Sequence, residues 1–319
     1  MLLPVVLKKR IIAIYGEEKG NTVFAGWEKS RIGSFRINTL AYPNIGIDEI
    51  PEDIATELWE KNIIITRFSP LPHTYTYSRD DEYALKWTQT FYQGKIYIQG
   101  IASMLPVNAL WIQKNHHVLD VCAAPGSKTT QMAASMENIG SIIAIEQNAI
   151  RMDKLQYNIW LQWARCIETV KSEAIKYLST YSWNSFDAIL LDAPCSAEGR
   201  IQVSNEKTFG FWSIENIRKK AELQYALLTE ACKHLKSNGV IVYATCTLAP
   251  EENEAIIDQL LTSFPERYIL EEVWFSGIES IPWILSFGGK TYHNEIEKTL
   301  RVLPTEYTEG FYIAKIRKL

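Results

Sequence analysis

From His116 to the end of the chain, short apolar runs alternate with amphipathic stretches, and this pattern constrains the fold more than any other feature. It is typical of strands that alternate with helices. The predicted strands are 117–122, 141–146, 186–192, 240–245, 269–273 and 311–316. Strands and helices in this order predict an α/β fold with a mostly parallel sheet covered on both faces. In such sheets, ligands bind beyond the carboxyl ends of the strands.

The clearest helical pattern lies between the strands at 186–192 and 240–245. Apolar residues recur there at spacings of three and four over 214–235. Ser213 is predicted as the N-cap of this helix, and Gly239 is predicted just past its end. The first part of the chain is less regular, with strands predicted at 34–40, 63–68 and 73–77 and a helix at 53–61. We therefore predict a small α+β domain at 1–110 and a larger domain at 111–319.

Composition excludes several classes of protein. The chain has 319 residues, of which 47% are apolar and 22% charged, values far from those of disordered, collagen-like or coiled-coil chains. A short apolar run precedes the cluster Lys8-Lys9-Arg10, the reverse of the order in a secretory signal. No uncharged stretch reaches the length of about 18 residues that a membrane span needs. We expect a cytoplasmic protein that does not bind membranes.

The cysteines and the net charge bear on metals and partners. The five cysteines include no C-x-x-C pair, and no His stands at metal-ligand spacing, so neither a disulfide framework nor a metal site is expected. The net charge of −4 argues mildly against a nucleic-acid partner. Binding depends on where Lys and Arg cluster, however, and the total charge does not report this.

The first two strands of the larger domain end in loops suited to an adenosine-type ligand. The first leads through Asp120-Val-Cys-Ala-Ala-Pro-Gly126 into a helix near Ser127, a small-residue turn that a ligand can approach closely. Neither G-x-G-x-x-G nor G-x-x-x-x-G-K-[ST] occurs, so a pyrophosphate is not indicated. The second strand ends at Glu146, where a carboxylate can accept hydrogen bonds from ribose hydroxyls. S-adenosylmethionine is the leading candidate cofactor.

Two cysteines stand at the ends of the next strands. Asp192 ends the apolar strand 186–192, where burial of a carboxylate is costly unless it binds a donor or a ligand. Cys195 follows it, and Cys246 follows the strand 240–245. Thiolate nucleophiles need polar, partly open surroundings of this kind.

Four segments resemble motifs of the Nol/Nop/Sun family of S-adenosylmethionine-dependent RNA 5-methylcytosine methyltransferases. They read DVCAAPGSKTTQMA, AIEQN, FDAILLDAPCSAEGR and VYATCTLAPEENE. The segments 35–40, 97–106 and 309–315 resemble that family as well, so the similarity extends over roughly 30–319. It implies a Rossmann-like class I methyltransferase domain with a seven-stranded, mostly parallel sheet, preceded by a small α+β RNA-binding domain.

The resemblance also implies an activity and its catalytic residues. A methyl group would pass from S-adenosylmethionine to C5 of a cytosine in rRNA or tRNA through a covalent bond between Cys246 and C6. In this interpretation Asp192 holds or donates the proton at N3, and Cys195 helps to release the product. Lys128 would orient the base and Asp192. The chain would act on RNA without a metal and as a monomer.

By the same resemblance, a set of loop residues would contact S-adenosylmethionine: Cys122, Ala123, Ala124, Pro125, Gly126, Ser127, Lys128, Glu146, Arg151, Glu173 and Asp192. The family usually has Asp at the position nearest Glu173, which is a departure in this chain. The predicted RNA contacts are Arg36, Asn38, Gln99 and Ser103. The tyrosines 75, 77, 92 and 97 are candidates for base stacking, although such residues often belong to a core.

Three alternatives remain open from the sequence. A DNA cytosine-5 methyltransferase attacks with the Cys that follows Pro, here Cys195, but a Glu-Asn-Val segment typical of such enzymes is absent from the sequence. A catalytically inactive RNA-binding module would be expected to have lost Cys246, Cys195 or Asp192, and all three are present. A nicotinamide oxidoreductase is the third alternative.

Overall fold

The computed structural model describes residues 3–319, which form two sheets of different size and a short hairpin. The first part of the chain contains, in order, α1 (Val5–Glu28), β1 (Gly33–Ile37), α2 (Glu52–Glu60), β2 (Ile65–Arg67), β3 (Thr74–Tyr77), α3 (Glu82–Lys86), α4 (Gln89–Tyr92), β4 (Ile96–Ile98) and α5 (Ile101–Leu110). Its four strands form an antiparallel sheet in the order β2-β3-β1-β4. The small α+β sheet predicted for this part is therefore present.

The remaining elements build the larger sheet and its helices. They are β5 (His117–Asp120), α6 (Ser127–Ser135), β6 (Ser141–Glu146), α7 (Ala149–Leu161), β7 (Ile167–Lys171), α8 (Ala174–Leu178), β8 (Phe186–Asp192), α9 (Ile214–His234), β9 (Leu235–Thr245), α10 (Glu254–Ser263), β10 (Tyr268–Glu271), β11 (Ser286–Phe287), β12 (Lys290–Thr291), β13 (Leu300–Val302) and β14 (Phe311–Lys318). All six strands predicted after His116 are observed.

The larger sheet is mostly parallel, as predicted. Its path is β10-β14-β9-β8-β5-β6-β7, and the pairs from β9 to β7 are all parallel. β14 runs antiparallel to β9, and β10 runs antiparallel to β14. β13 also pairs with the beginning of β14, so the sheet has eight strands rather than the predicted seven.

Alternate residues of the central strands face two separate cores. Leu119 and Leu191 belong to one core, which contains α1, α9 and α10. Val118 and Leu190 belong to the other, which contains α5 and α6. A sheet buried on both faces needs apolar side chains at successive positions, which explains the continuous apolar runs in the sequence.

The helix α1 is the largest element for which the sequence analysis made no prediction. It has 24 residues and is kinked at Gly16, where φ is 76°, a left-handed backbone conformation that glycine adopts without strain. Buried residues of α1 such as Leu7 and Trp27 pack in the core of the larger sheet. Since α5 packs on the other face of that sheet, residues before 110 contribute to both of its cores. The division of the chain at residue 110 stays a prediction.

One predicted helix boundary is wrong. Ser213 caps α9 as predicted, because its side chain accepts a hydrogen bond from Asn216 N. The helix, however, ends at His234, and Leu235 begins β9 directly, so Gly239 lies inside a strand. A Cβ at Gly239 would come within 3.0 Å of the Asp187 carbonyl oxygen on the neighbouring strand. Crowding by Lys236 of its own strand and by Asp187 of the neighbouring strand, not a helix end, accounts for this glycine.

A buried ion pair ties α1 and α10 to the edge of the larger sheet. Arg301 on β13 and Glu254 on α10 form a salt bridge, and both side chains are fully buried. Arg301 Nη1 also donates hydrogen bonds to the Tyr15 hydroxyl on α1 and to the Leu248 carbonyl oxygen. A guanidinium removed from water in this way needs its carboxylate partner.

We predict that Glu254→Gln lowers the free energy of unfolding by about 3–5 kcal/mol, because it leaves the buried Arg301 charge without a counter-ion. Urea denaturation followed by circular dichroism measures this loss. The matched control is Glu215→Gln, which breaks the exposed Lys219–Glu215 pair and should cost less than about 1 kcal/mol. Equal losses in the two variants would show that the buried pair does not stabilise the fold as described.

Candidate active site

The carboxyl ends of β8 and β9 bring two thiols together. The strands pair in parallel with Asp192 opposite Ala244, so the loops that follow them start side by side. Cys195 Sγ lies 3.2 Å from Cys246 Sγ, and both residues are partly buried. The two cysteines that the sequence predicted at neighbouring strand ends are therefore in contact.

The two thiols have different surroundings. Cys195 forms a hydrogen bond with Cys246. This bond, together with burial, raises the pKa of the Cys195 thiol well above that of an ordinary thiol. Cys195 therefore remains protonated at neutral pH and can donate a hydrogen bond to the Cys246 sulfur. A Cys195 S–H group at this distance can stabilise a negative charge on the Cys246 sulfur.

A buried ammonium group holds the carboxylate at the end of β8. Lys128 Nζ, near the start of α6, lies 2.7 Å from Asp192 Oδ2. It also donates to Ser103 Oγ at 2.8 Å and lies 5.8 Å from the centre of the Phe311 ring. Asp192 keeps about a third of its side chain exposed, whereas that of Lys128 is almost covered. The pair thus leaves part of the carboxylate accessible, three residues before Cys195 in the sequence.

The loop after β5 forms the tight turn into a helix that the sequence predicted. Gly126 has a φ of 105°, which few residues other than glycine adopt, and it opens α6. Ala123 and Ala124 before it offer small side chains. The first N–H groups of a helix have no partners within it and attract negatively charged groups. A ligand carboxylate can therefore bind at this turn.

Glu146 lies where the sequence predicted a carboxylate for ribose hydroxyls, at the end of β6. Its side chain is buried, accepts a hydrogen bond from Asn148 N at 2.8 Å and pairs with Arg151 Nη1 at 3.2 Å. Arg151 Nη2 also donates to the Ala124 carbonyl oxygen at 2.5 Å, which joins the two loops. Arg151 thus links the predicted cofactor loop at Ala124 to the predicted Glu146 carboxylate.

Glu173 is less closely tied to this surface. It lies after β7, the strand beside β6, and precedes α8, with an exposed side chain. Its contact with a cofactor stays a prediction.

Three of the four predicted RNA contacts are buried within the protein. Arg36, Asn38 and Gln99 are 5%, 1% and 4% exposed. Arg36 donates to Gln99 Oε1 at 3.0 Å and to Thr130 Oγ1 on α6 at 2.8 Å. Asn38 donates to the carbonyl oxygen of Gln162, just past α7, at 3.0 Å. In this structure the three side chains join the small sheet to the helices of the larger one, and direct RNA contact stays a prediction.

The remaining candidates for RNA contact differ in their exposure. Ser103 is partly exposed and accepts a hydrogen bond from Lys128, so it lies beside the Lys128–Asp192 pair. Tyr75 and Tyr77 are buried in the core of the small sheet. Tyr97 lies against the Arg36 guanidinium, with 5.0 Å between Arg36 Cζ and the ring centre. Tyr92 is the exposed member of the predicted tyrosines, at 49%.

Sequence reasoning missed a set of buried polar residues beneath the site. Asp120 at the end of β5 accepts a hydrogen bond from Thr129 Oγ1 at 2.7 Å, and burial raises its pKa to about 7. Glu252 lies behind the cysteine loops, and burial likewise raises its pKa to about 7. The signal that could have identified both residues is the presence of an acid within or directly beside a motif segment. Burial of an acid is costly unless it has a hydrogen-bonding or charged partner.

Within residues 3–319, no group of three or more His, Cys, Asp or Glu side chains is arranged to hold a metal ion. No helix in the same range is both long enough and apolar enough to cross a membrane.

Known proteins share both the sequence and the fold. A family model described as 16S rRNA methyltransferase RsmB/F matches residues 107–317, about two thirds of the chain. A Pyrococcus abyssi protein named tRNA (cytosine(49)-C(5))-methyltransferase is 42% identical over 227 residues, which are 70% of this chain and 71% of that protein. Ribosomal RNA small subunit methyltransferase F of Vibrio cholerae is 34% identical over 302 residues, 90% of this chain. The match spans 57% of the length of that relative.

Two solved structures agree with the chain over almost its full length. A methyltransferase homologue from Pyrococcus horikoshii has a TM-score of 0.83 and 29% identity, covering 99% of this chain and 96% of that one. NSun6 from Pyrococcus horikoshii, solved with SFG, has a TM-score of 0.81 and 25% identity, covering 99% and 98%. The match over residues 107–317 and these relatives show that the chain belongs to the RsmB/F methyltransferases, the Nol/Nop/Sun family whose motifs it carries.

Proposed function

We propose that this chain, an RNA cytosine-C5 methyltransferase by its family, works through a covalent bond between Cys246 and C6 of the target cytosine. The observation that carries this mechanism is the contact between Cys195 and Cys246 at 3.2 Å, next to the Lys128–Asp192 pair. A thiolate nucleophile and a carboxyl group for proton transfer are the two groups that the reaction requires. The relatives named for tRNA and rRNA cytosine methylation support the same chemistry.

Cytosine C5 is a poor nucleophile until the ring is activated. The Cys246 thiolate forms a bond to C6 while Asp192, which has taken up a proton from solvent, passes it to N3, and the ring becomes an enamine with a nucleophilic C5. Lys128 holds the Asp192 carboxyl group in place for this proton transfer. S-adenosylmethionine, when bound, supplies an electrophilic methyl group.

Product release reverses the first step. After C5 loses its proton to a solvent water, the electron pair of that C–H bond forms the C5–C6 double bond, the bond between C6 and Cys246 Sγ breaks, and the proton at N3 returns to Asp192. The sulfur leaves as a thiolate. Cys195 lies close enough to donate a hydrogen bond from its S–H group to that thiolate, which makes Cys246 a better leaving group.

S-adenosylmethionine fits the residues present at the cofactor surface. The turn at Gly126 and the start of α6 suit the carboxylate of its methionine part, and the Glu146 carboxylate suits its ribose hydroxyls. NSun6, to which the chain is similar, was solved with SFG, an analogue of this cofactor, which supports the same assignment.

The target cytosine has to be unpaired or flipped out, because stacking covers C6 in a duplex. We assign base stacking to an exposed aromatic cluster on the small domain. Tyr83, Trp87 and Tyr92 are 73%, 58% and 49% exposed, and neighbouring ring centres lie 6.1 and 6.0 Å apart. Stacking on such rings tolerates any base, which suits RNA held on either side of a target.

The similarity favours tRNA as the substrate. The tRNA methyltransferase relative has the higher identity, and the chain covers more of its length than of the rRNA methyltransferase. Bisulfite sequencing of cellular tRNA and rRNA, with and without the gene, tests this. A methylated cytosine lost from rRNA and none lost from tRNA would reverse the assignment.

We predict that Cys246→Ala abolishes methyl transfer and leaves the Kd for S-adenosylmethionine unchanged, because the thiol forms the bond to C6 and the cofactor contacts other loops. Methyl incorporation into RNA and isothermal titration measure the two effects. Cys166→Ala, at a partly buried cysteine before β7, is the control and should retain activity. Comparable methylation by the Cys246 variant would exclude it as the nucleophile.

We predict that Cys195→Ala forms the covalent adduct but resolves it slowly, because the leaving thiolate loses its hydrogen-bond donor. Protein trapped on RNA then gives a slowly migrating band on a denaturing gel. The double variant with Cys246→Ala should give no band. Trapping by Cys246→Ala and none by Cys195→Ala would assign the nucleophile to Cys195, as in the DNA-methyltransferase alternative.

We predict that Asp192→Asn lowers kcat by at least about 100-fold, because an amide cannot supply the proton at N3. Single-turnover methylation assays measure this rate. The matched control is Asp187→Asn near the other end of β8, where the carboxylate pairs with Lys236 at the surface. A similar rate for the two variants would remove Asp192 from the mechanism.

A further inference from the structure

The residues that follow the two cysteines are in contact with each other. Ser196 Oγ lies 2.7 Å from Thr247 Oγ1, next to the 3.2 Å contact of the thiols. Ser196 and Thr247 are 2% and 0% exposed, so this hydroxyl pair forms the buried floor beneath the thiol pair. Whatever fixes the two hydroxyl residues also fixes the separation of the two sulfur atoms.

Glu252 holds the segment that carries Cys195. Its carboxylate accepts a hydrogen bond from Ser196 N at 3.0 Å and a second one from Ser196 Oγ. Gln224 on α9 donates to Glu252 Oε2 at 2.8 Å and to the Pro194 carbonyl oxygen at 2.9 Å. The residues on both sides of Cys195 are thereby bound to one buried pair of side chains.

Asn253 holds the segment that carries Cys246. Its Oδ1 accepts a hydrogen bond from Thr245 Oγ1 at 2.6 Å, and its Nδ2 donates to the Thr247 carbonyl oxygen at 3.0 Å. These two partners flank Cys246 in the sequence. Asn253 is fully buried, so water does not compete for either bond.

The backbone of this pair is itself anchored to the sheet. The Tyr243 hydroxyl on β9 donates to the Glu252 carbonyl oxygen at 2.5 Å. Asn253 immediately precedes α10, whose buried residues pack in the core with α1 and α9. The dipeptide is thus fixed to β9, the strand that precedes Cys246, and to α10.

From these contacts we infer that Glu252 and Asn253 are positioning residues for the thiol pair, with Glu252 placing Cys195 and Asn253 placing Cys246. Because the two are adjacent in sequence, a single rigid dipeptide sets the distance between nucleophile and assisting thiol. If this buried polar network served stability alone, substitutions at Glu252 and at Asn253 would have the same effect on the reaction. The inference rests on the proposed roles of the two cysteines.

Because Glu252 and Asn253 hold different cysteines, we expect opposite outcomes from substitutions at these two residues. Glu252→Ala should behave like Cys195→Ala and accumulate protein trapped on RNA, because Cys246 still attacks while product release is slow. Asn253→Ala should slow adduct formation by about 100-fold, the effect expected of a nucleophile displaced by about 1 Å, and should trap nothing. The Kd for S-adenosylmethionine should stay unchanged in both variants.

Milder substitutions at the partners protect the test against loss of the fold. Ser196→Ala removes one of the bonds to Glu252, and Thr245→Val removes one of the bonds to Asn253 at nearly constant volume. Each should reproduce the direction of its partner variant. Asp258→Asn is the matched control, since this buried carboxylate on α10 pairs with Lys290 and His293 N. It should leave both adduct formation and release as in the unmodified protein.

Denaturing gels over a time course, with Cys195→Ala and Cys246→Ala on the same gel, separate the possible failures. If the two cysteine variants behave as predicted but Glu252→Ala and Asn253→Ala give the same phenotype as each other, the positioning inference is overturned and the proposed function stands. If Cys195→Ala traps no protein, or if Cys246→Ala does trap it, the proposed roles of the two cysteines are wrong. Trapping by the Glu252 and Ser196 variants, with none by the Asn253 and Thr245 variants, supports the inference.

Discussion

The site depends on the parallel pairing of β8 and β9. Their register places Asp192 opposite Ala244, so the two strands end at the same level of the sheet. The segments that leave them can then run side by side, with their thiols 3.2 Å apart. A parallel pair cannot be joined by a tight turn, and here α9 makes the crossover. The connection that separates Cys195 from Cys246 in sequence is therefore what allows them to meet in space.

The helix α1 contacts the segments that follow Cys195 and Cys246. Arg10 pairs with Glu251 at 2.6 Å and lies 3.6 Å from the buried Glu198, which follows the Cys195 segment. Tyr15 donates to the Leu248 carbonyl oxygen at 3.2 Å. Burial raises the pKa of Glu198, and the Arg10 charge acts against that rise. Residues of α1 thus stabilise the segments that follow β8 and β9.

The sequence predicts those parts of the molecule whose signal is local. The apolar runs of the larger sheet, the Ser213 cap and the cysteines at strand ends all lie within short segments. The helix α1 has no comparable signal, because the spacing of its apolar residues is interrupted where the backbone turns at Gly16. The end of α9 was misplaced because the helix passes into β9 without a glycine.

The rest depends on contacts between distant segments. Arg36 is the residue type expected at an RNA surface, and its partner Thr130 on α6 becomes apparent only in three dimensions. Glu252 and Asn253 are polar residues in a motif, and nothing in their spacing shows which cysteine each one holds. Burial of these side chains follows from the packing of several elements, which a single sequence does not display.

The nucleophile can be identified directly with RNA that contains 5-fluorocytidine. Fluorine at C5 cannot leave as the proton does, so the adduct persists after methyl transfer. Trypsin cleaves after Lys and Arg, which places Cys195 in the peptide 177–200 and Cys246 in the peptide 237–267. We predict that mass spectrometry finds the methylated fluorocytosine nucleotide on the peptide 237–267. Finding it on the peptide 177–200 would contradict the assignment of Cys246 as the attacking residue.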